Sequence, residues 1–532
     1  MLGAEVRRLP VRYALFVLAF AVGTVPAWGA TYYASPTGSG STCSAAPPCS
    51  LSGCVAKIAA NGDVCSAGDG IYIDPGTIIA ARACGTGTGV CTITSTNPLG
   101  ARIDVSGGTG EIFRINGNNW VLNGFLVRAQ SARQIAVVYA SQGFAFTNNR
   151  VEVKPGFGSE VLWVRGTDDV LVRGNWVHHY PHCIDGNQTY PAGPWGAGAT
   201  APSCGTNSRC DFNTLDGPMW LFEGDGTTVA TRNYTFEQND YGHWQNPFHI
   251  KNIVNLIFRR NTCTNATNHG CIEADDAQGI LIENNIADID TGTGCNNEIL
   301  QSKLYDSYCS TDVIIRNNTS VGHGMGWEQQ LVGLAPNGGA YSTCSTTENG
   351  GTPFLPNVVA DGTAYDYMRV YNNIIYNGKP SSAAGGIIFR SGQSGTAQPC
   401  CYSDYNIINT PSGNRAGGNN SNLYVSLADW QNAPDADGDG IFWDRNSTST
   451  APQFVSYCNT IGTPGCHDYH PASASAPQVD AGINTSARPC PTEDFAGNPR
   501  TDGVCDIGAH EYQGSTTSPP PNVTNAVRTD KH

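Results

Sequence analysis

An asparagine closes a short apolar run again and again in this chain, at Asn149, Asn175, Asn239, Asn261, Asn285, Asn318 and Asn373. The segments around these positions, among them FAFTNNRVEV, LIFRRNTCTN, ILIENNIADI and VIIRNNTSVG, alternate apolar with polar residues and are rich in β-branched side chains. Such alternation predicts strands, because a helix would repeat its apolar residues at i, i+3 and i+4. The closest asparagine steps are 22 to 26 residues, a period that belongs to a solenoid. One coil cannot bury its own inner face, so stacking supplies the core. Asparagine at one recurrent turn has a physical reason: it tolerates left-handed backbone, and its amide can bond to the asparagines of the coils above and below.

A repeat array lengthens by adding coils, so 532 residues do not by themselves imply several domains. Charged residues make up 14% of the chain and there are 63 glycines, as in a turn-rich β protein. The balance of 29 basic to 44 acidic residues argues against nucleic acid or an anionic membrane as partner. An acidic substrate would need a local basic patch or a bound cation. Residues 1–29 have a secretion layout: Arg7, Arg8 and Arg12, an apolar core from Tyr13 to about Val22, then Ala27-Trp28-Gly29 as a small-x-small cleavage site. We read them as a signal peptide, and no later segment is apolar and long enough to span a bilayer.

Twenty cysteines suit an oxidising compartment. Close pairs predict loop staples: Cys84 with Cys91, Cys204 with Cys210, Cys263 with Cys271, Cys295 with Cys309, Cys458 with Cys466 and Cys490 with Cys505. The pairing of Cys183, Cys344, Cys400 and Cys401 stays open. No CxxC pair is present, which disfavours zinc.

The mature start, TYYASPTGSG, leads through a Cys-rich cap (30–67) with a helix expected from Ser50 to Ala60, N-capped by Ser50 or Ser52. Its expected task is to cover the open end of the solenoid. Coils follow from 68 to 409, with long insertions at 186–218 and 328–362, then a closing segment (410–513) and a flexible tail (514–532).

The opening TYYASPTGSG, the segment GDGIYIDPGT, the asparagine-turn coils and the ending DFAGNPRTDGVCDIGAHEY together resemble the secreted right-handed parallel β-helix proteins of the pectate-lyase-like superfamily. The closing segment is similar to the bacterial choice-of-anchor Q domain. The resemblance implies an all-β, right-handed parallel β-helix, a single-stranded solenoid with a short capping helix and disulfide-stapled loops. It implies secretion to the cell exterior or periplasm, with or without surface association, and an extracellular polysaccharide as partner. It leaves the activity open, since the superfamily holds lyases, hydrolases, epimerases and proteins without a known reaction.

In this fold the asparagine turn lies between the second and third strands of a coil. Counting back 11 residues gives first-strand core positions Val164 from Asn175 and Ile250 from Asn261; two extra residues lead from Asn285 to Ile272, and Cys183, Ile184 and Asp185 match the opening of the coil with the large insertion. Strand alternation then turns the neighbours outward. One expected column is Arg165, Asp185, Lys251 and Glu273; the other is Trp163, Cys183, His249 and Cys271. An alternating-charge ladder is the plainest reading of the first. The functional reading is a polysaccharide lyase cleaving a uronic acid glycan by β-elimination. Lys251 or His249 is the candidate base, Arg165 the partner of the sugar carboxylate, and Asp185 with Glu273 a candidate calcium site of hard oxygen ligands.

Other candidates are weaker. Asp275, Asp276 and His323 in a Gly-His-Gly segment are similar to the Asp pair and Gly-His-Gly of polygalacturonases, but the spacing differs and no Arg-Ile-Lys follows. Asp435, Asp437 and Asp439 with Gly440 match half of an EF-hand-like calcium loop, with Asn446 where its final acid belongs. His178, His179 and His182 sit on a turning segment where consecutive histidines seldom converge on one ion, and their expected role is solvent exposure or carbohydrate contact rather than metal binding. Trp195, Trp220, Trp244 and Trp327 can stack on sugars or pack beneath loops. A noncatalytic adhesion β-helix and an Asp-pair glycoside hydrolase are the alternatives to the lyase.

Overall fold

A computed structural model of the chain describes residues 29–108, 110–129, 133–140, 142–153, 160–179, 220–223, 231–242, 248–264, 271–275, 277–289, 304–308, 311–322, 332–334, 368–376, 385–389, 401–409, 415–419, 422–433, 443–457, 468–500 and 503–513. Three long sheets run along it, of 12, 12 and 11 strands. Each coil contributes one strand to each sheet and pairs in parallel with its neighbours, until Arg415–Asn419 pairs antiparallel with Asn422–Tyr424 at the end of the first sheet. The first sheet holds Leu162–Arg165, Trp220–Glu223, Phe248–Lys251 and Ile272–Asp275. The second holds Asp168–Arg173, Thr231–Glu237, Ile253–Arg259 and Gln278–Glu283, and the third Trp176–His179, Asp240–Gly242, Thr262–Thr264 and Ile286–Ile289. The molecule is a parallel β-helix, as its alternating runs predict.

Inside, like residues stack in register. Val172, Phe236, Phe258, Ile282 and Ile315 form one buried row of the second sheet. Phe236 and Phe258 lie parallel with ring centroids 5.2 Å apart, a contact that adds to the area they bury.

The asparagine ladder is continuous. The side-chain oxygens of Asn175, Asn239, Asn261, Asn285, Asn318 and Asn373 each accept from the backbone N–H of the ladder asparagine before them, the first donor being Asn149 N, at 2.9 to 3.0 Å. An eighth rung, Asn406, extends it and bonds to Ser447 and Asp444. The left-handed backbone is not at these residues. It falls one position earlier, at Asn148, Gly174, Gln238, Arg260, Asn284, Asn317, Asn372 and Tyr405. The reversal is thus separated from the rung: one residue takes the strained φ, at roughly 1 to 2 kcal/mol for a non-glycine, and the next aims its amide inward.

The capping helix is shorter than expected, Leu51–Ala56, with Ser50 as N-cap accepting from Gly53 N at 3.1 Å. It packs at the open end beside Thr31–Ala34, the edge strand of the second sheet, and Cys54–Cys65 ties it there. Three expected disulfides form, Cys84–Cys91, Cys263–Cys271 and Cys490–Cys505, and Cys43–Cys49 joins them. The other proposed cysteine pairs lie outside the described residues. Among the described residues no helix is long and apolar enough to cross a membrane.

The closing segment folds back along the asparagine-turn flank. Arg260, Asn284, Asn317 and Asn372, the left-handed residues of successive coils, donate side-chain hydrogen bonds to the carbonyls of Phe495, Glu493, Asp506 and Ile483. Ile507 and Ala509 cover outward apolar residues of the third sheet, Ile286, Val321, Ile374 and Ile407. Arg500 and Glu511 form a buried ion pair beneath the same segment.

Candidate functional site

Val164 and Ile250 point into the core as counted from their asparagines, both fully buried. Asn285 follows the same count without the two extra residues: Ala274, not Ile272, stands beside Ile250, and Ile272 stands beside Phe248. Both face inward, because residues two apart on a strand share a face. The larger side chain at Ile272 made the shifted count attractive. Its consequence is a one-position error on the outside. Glu273 pairs with His249, and Asp275 takes the position beside Lys251.

A second correction concerns the insertion. The strand between Leu162–Arg165 and Phe248–Lys251 is Trp220–Glu223, which puts Glu223 beside both Arg165 and Lys251. By register the column therefore reads Arg165, Glu223, Lys251 and Asp275. It keeps the expected alternation of charge with two of its four members exchanged. Asp185 and Cys183 lie outside the described residues. The companion column is Trp163, Leu221, His249 and Glu273, so Cys271 is not part of it. Glu223 escaped the sequence reading because the insertion breaks the count back from Asn239; its signal was the apolar run WLFE before the next long gap.

Several contacts hold this face. Trp163 Nε1 donates to Glu223 Oε2 at 3.1 Å, and Arg165 Nε lies 3.7 Å from the same oxygen. The Arg165 guanidinium stands over the Trp163 ring, 5.1 Å from its centroid. One coil further, His249 Nδ1 lies 3.9 Å from Glu273 Oε2. Glu273 is 4% exposed although it points out of the sheet. Lys251 stands two residues along from His249 on the same face, so the two side chains flank a common strip of surface.

The strand carrying His249 and Lys251 has a rigid backing. Phe248 packs against Phe236 with centroids 4.5 Å apart and against Phe222 at 5.0 Å. The Cys263–Cys271 disulfide anchors the start of the neighbouring strand, one residue before Ile272 and two before Glu273. Buried aromatics and a staple thus fix the spacing of the polar residues outside.

Among the described residues, no group of three or more His, Cys, Asp or Glu side chains could hold a metal ion. Glu223 is engaged by Trp163 and Arg165, and the register sets Glu273 against His249; Asp185, the expected calcium partner of Glu273, lies outside the described residues. Asp435, Asp437 and Asp439 lie outside the described residues, as do Asp276, His182, His323 and the tryptophans Trp195, Trp244 and Trp327. Trp220 does not face a ligand: it is buried in the core against Phe146 and Phe236.

The chain matches no protein-family model and no curated protein. Solved structures with a similar course of chain include pectate lyase Pel9A, at 14% identity and a TM-score of 0.35 over 91% of this chain and 96% of that one. A lacto-N-biosidase of family GH136 from Eubacterium ramulus is similar at 10% identity and a TM-score of 0.45, over 73% of this chain and 67% of that one. A PL6 alginate lyase bound to a trisaccharide is similar at 13% identity and a TM-score of 0.35, over 82% and 92%. At such identities and scores the likeness carries no argument about what this chain binds or does, and the three parallel sheets alone establish it as a parallel β-helix.

Proposed function

We propose that this protein is an exported, carbohydrate-active β-helix that cleaves a uronic acid polysaccharide by β-elimination on the outer face of the first sheet. The observation that carries the reading is His249 facing Glu273 on the strip that also presents Lys251, one coil from Glu223 and two from Arg165. In the proposed reaction Arg165 pairs with the sugar carboxylate, which makes the proton on C5 more acidic. His249, oriented by Glu273, removes that proton; the electron pair forms the C4–C5 double bond; the C4–O bond breaks; and Lys251 supplies a proton to the departing oxygen. Export is supported by the leader-like residues 1–29 and by five disulfides among the described residues.

Calcium enters the proposal as an activator held by Asp185 with Glu273, and separately as a structural ion in the loop of Asp435, Asp437 and Asp439. No step above passes through it. The noncatalytic reading draws on one observation: Arg165, Trp163 and Glu223 satisfy one another, as a surface ladder would.

The test is a panel of uronic acid polysaccharides followed at 232 nm, where the unsaturated product absorbs, with calcium and with a chelator. Product from one acidic glycan and none from neutral glycans supports the lyase. Absence of product from every glycan in both arms overturns it, and retained binding in that case selects the adhesion β-helix.

A further inference from the structure

At the open end of the solenoid the carboxylate of Asp63 is 1% exposed. It takes three backbone donors: Ala59 N and Ala60 N reach Oδ2 at 2.8 and 2.7 Å, and Ala30 N reaches Oδ1 at 2.8 Å. Ala30 is held from its other side as well, its carbonyl accepting from Val64 N at 2.9 Å, and the strand Thr31–Ala34 begins at the next residue. Burial works to raise the Asp63 pKa, but these backbone donors, helped by the charge of Arg82, outweigh it and hold the carboxyl below its ordinary value. The group is therefore a carboxylate at neutral pH. Neutral N–H groups fill its lone pairs but do not cancel its charge; Arg82 acts on that charge from beyond ion-pair distance, and a buried charge is costly without a close partner of opposite sign.

Directly before Ala30 stands Gly29. It lies so close to Gly62 that a Cβ would fall 2.2 Å from the Gly62 carbonyl carbon, so position 29 admits no side chain. Gly29 is also the last residue of Ala27-Trp28-Gly29, the small-x-small pattern at which leader peptidases cut. Two independent features therefore meet at one peptide bond: a cleavage pattern in the sequence, and a buried carboxylate aimed at the nitrogen on its far side.

We propose that leader removal between Gly29 and Ala30 turns the Ala30 nitrogen into an α-ammonium that forms an ion pair with Asp63, so that processing completes the polar site closing the N-terminal end of the solenoid. The leader peptidase adds water across the bond. The C–N bond breaks, the hydroxyl stays on Gly29 as part of its new carboxylate, and the protons released join the Ala30 nitrogen to give the ammonium. The inference rests on reading residues 1–29 as a leader and is independent of any activity of the first sheet.

The experiment uses the secreted protein made with its own leader. Intact mass and N-terminal sequencing are expected to give Ala30 as the first residue; a start at Trp28, from a cut after Ala27, or at any other residue overturns the proposal. The pairing is read separately from acylation of the α-amine at pH 7. A pKa raised by one unit leaves about tenfold less free amine, so the wild-type amine is expected to react about tenfold more slowly than that of Asp63→Asn; equal rates overturn the pairing even where the cut is as proposed. Should Asp63→Asn fail to fold, the mature chain is compared with one carrying a single extra glycine before Ala30, which converts the ammonium back into an amide. The extended chain is expected to melt at a lower temperature, and an unchanged or higher Tm overturns the proposal.

Discussion

His249 Nδ1 faces Glu273 Oε2 at 3.9 Å across two neighbouring strands of the first sheet. If this pair is the base of the proposed elimination, His249→Ala lowers kcat/KM by about 10²- to 10⁴-fold, the usual contribution of a positioned general base. Glu273→Gln keeps the shape of the side chain and is expected to lower kcat with little change in KM, since Glu273 acts through His249. Arg165→Ala, by contrast, is expected to raise KM for the acidic glycan. Rates at 232 nm across substrate concentrations separate the three; full activity in His249→Ala removes the assignment.

The register itself can be tested without a substrate. A double-mutant cycle on urea unfolding between positions 249 and 273 is expected to show a coupling of about 0.5 kcal/mol or more, as for side chains in contact. The same cycle between Lys251 and Glu273 is expected to fall below that, because Asp275 and not Glu273 stands beside Lys251. The opposite ranking would restore the shifted count.

These two positions also show what the sequence could and could not reveal. The asparagines were legible as a ladder because each rung repeats one chemical task, and a repeated task leaves a repeated letter. The unshifted count of 11 was already in the sequence and pointed to Ala274; the apolar bulk of Ile272 argued for the wrong residue, since both are buried and composition cannot rank them. Glu223 was hidden by an insertion that no local rule can measure. The docking of Phe495, Asp506 and Ile483 on the turn flank joins residues 111 to 235 positions apart, and neither partner alone looks special.

Asn261 gives the ladder an energetic test. Its oxygen accepts from Asn239 N and Nδ2, and its own Nδ2 donates to Phe236 O and to Asn285 Oδ1. Asn261→Ala strands several buried polar groups at about 1 to 3 kcal/mol each, so a loss of about 3 kcal/mol or more is expected in urea unfolding. Asn261→Asp keeps the acceptor and loses the donor, and should be costly too. A change within 1 kcal/mol for Asn261→Ala would mean that the coils do not depend on the rung.

The closing segment carries a pH dependence. His510 is buried against Phe495 and packs on the ring of His470, tilted by 32° with centroids 3.7 Å apart; His470 is paired with Asp468 at 2.6 Å. Burial first, then the charges of His470 and Arg500, push the His510 pKa well below its ordinary value. A folded state that resists protonation binds fewer protons than the unfolded chain, so stability is full above about pH 6.5, the unfolded histidine value, and declines as pH falls below it. Limited proteolysis between pH 8 and pH 4 should show the segment from 468 to 513 released first on acidification. His510→Gln is expected to flatten that profile, and an unchanged profile would assign the acid sensitivity elsewhere.

A stack of coils held only by nearest neighbours can peel one layer at a time, since each coil has two faces to lose and no longer-range tie. Here Ile483, Glu493, Phe495 and Asp506 of the closing segment lie like a batten across coils that begin as early as Arg260 and reach Asn372. Pulling away the last coil must lift the batten from all of them. The region it crosses therefore opens as one block, and the turn residues at the corners of the spiral decide how large that block is.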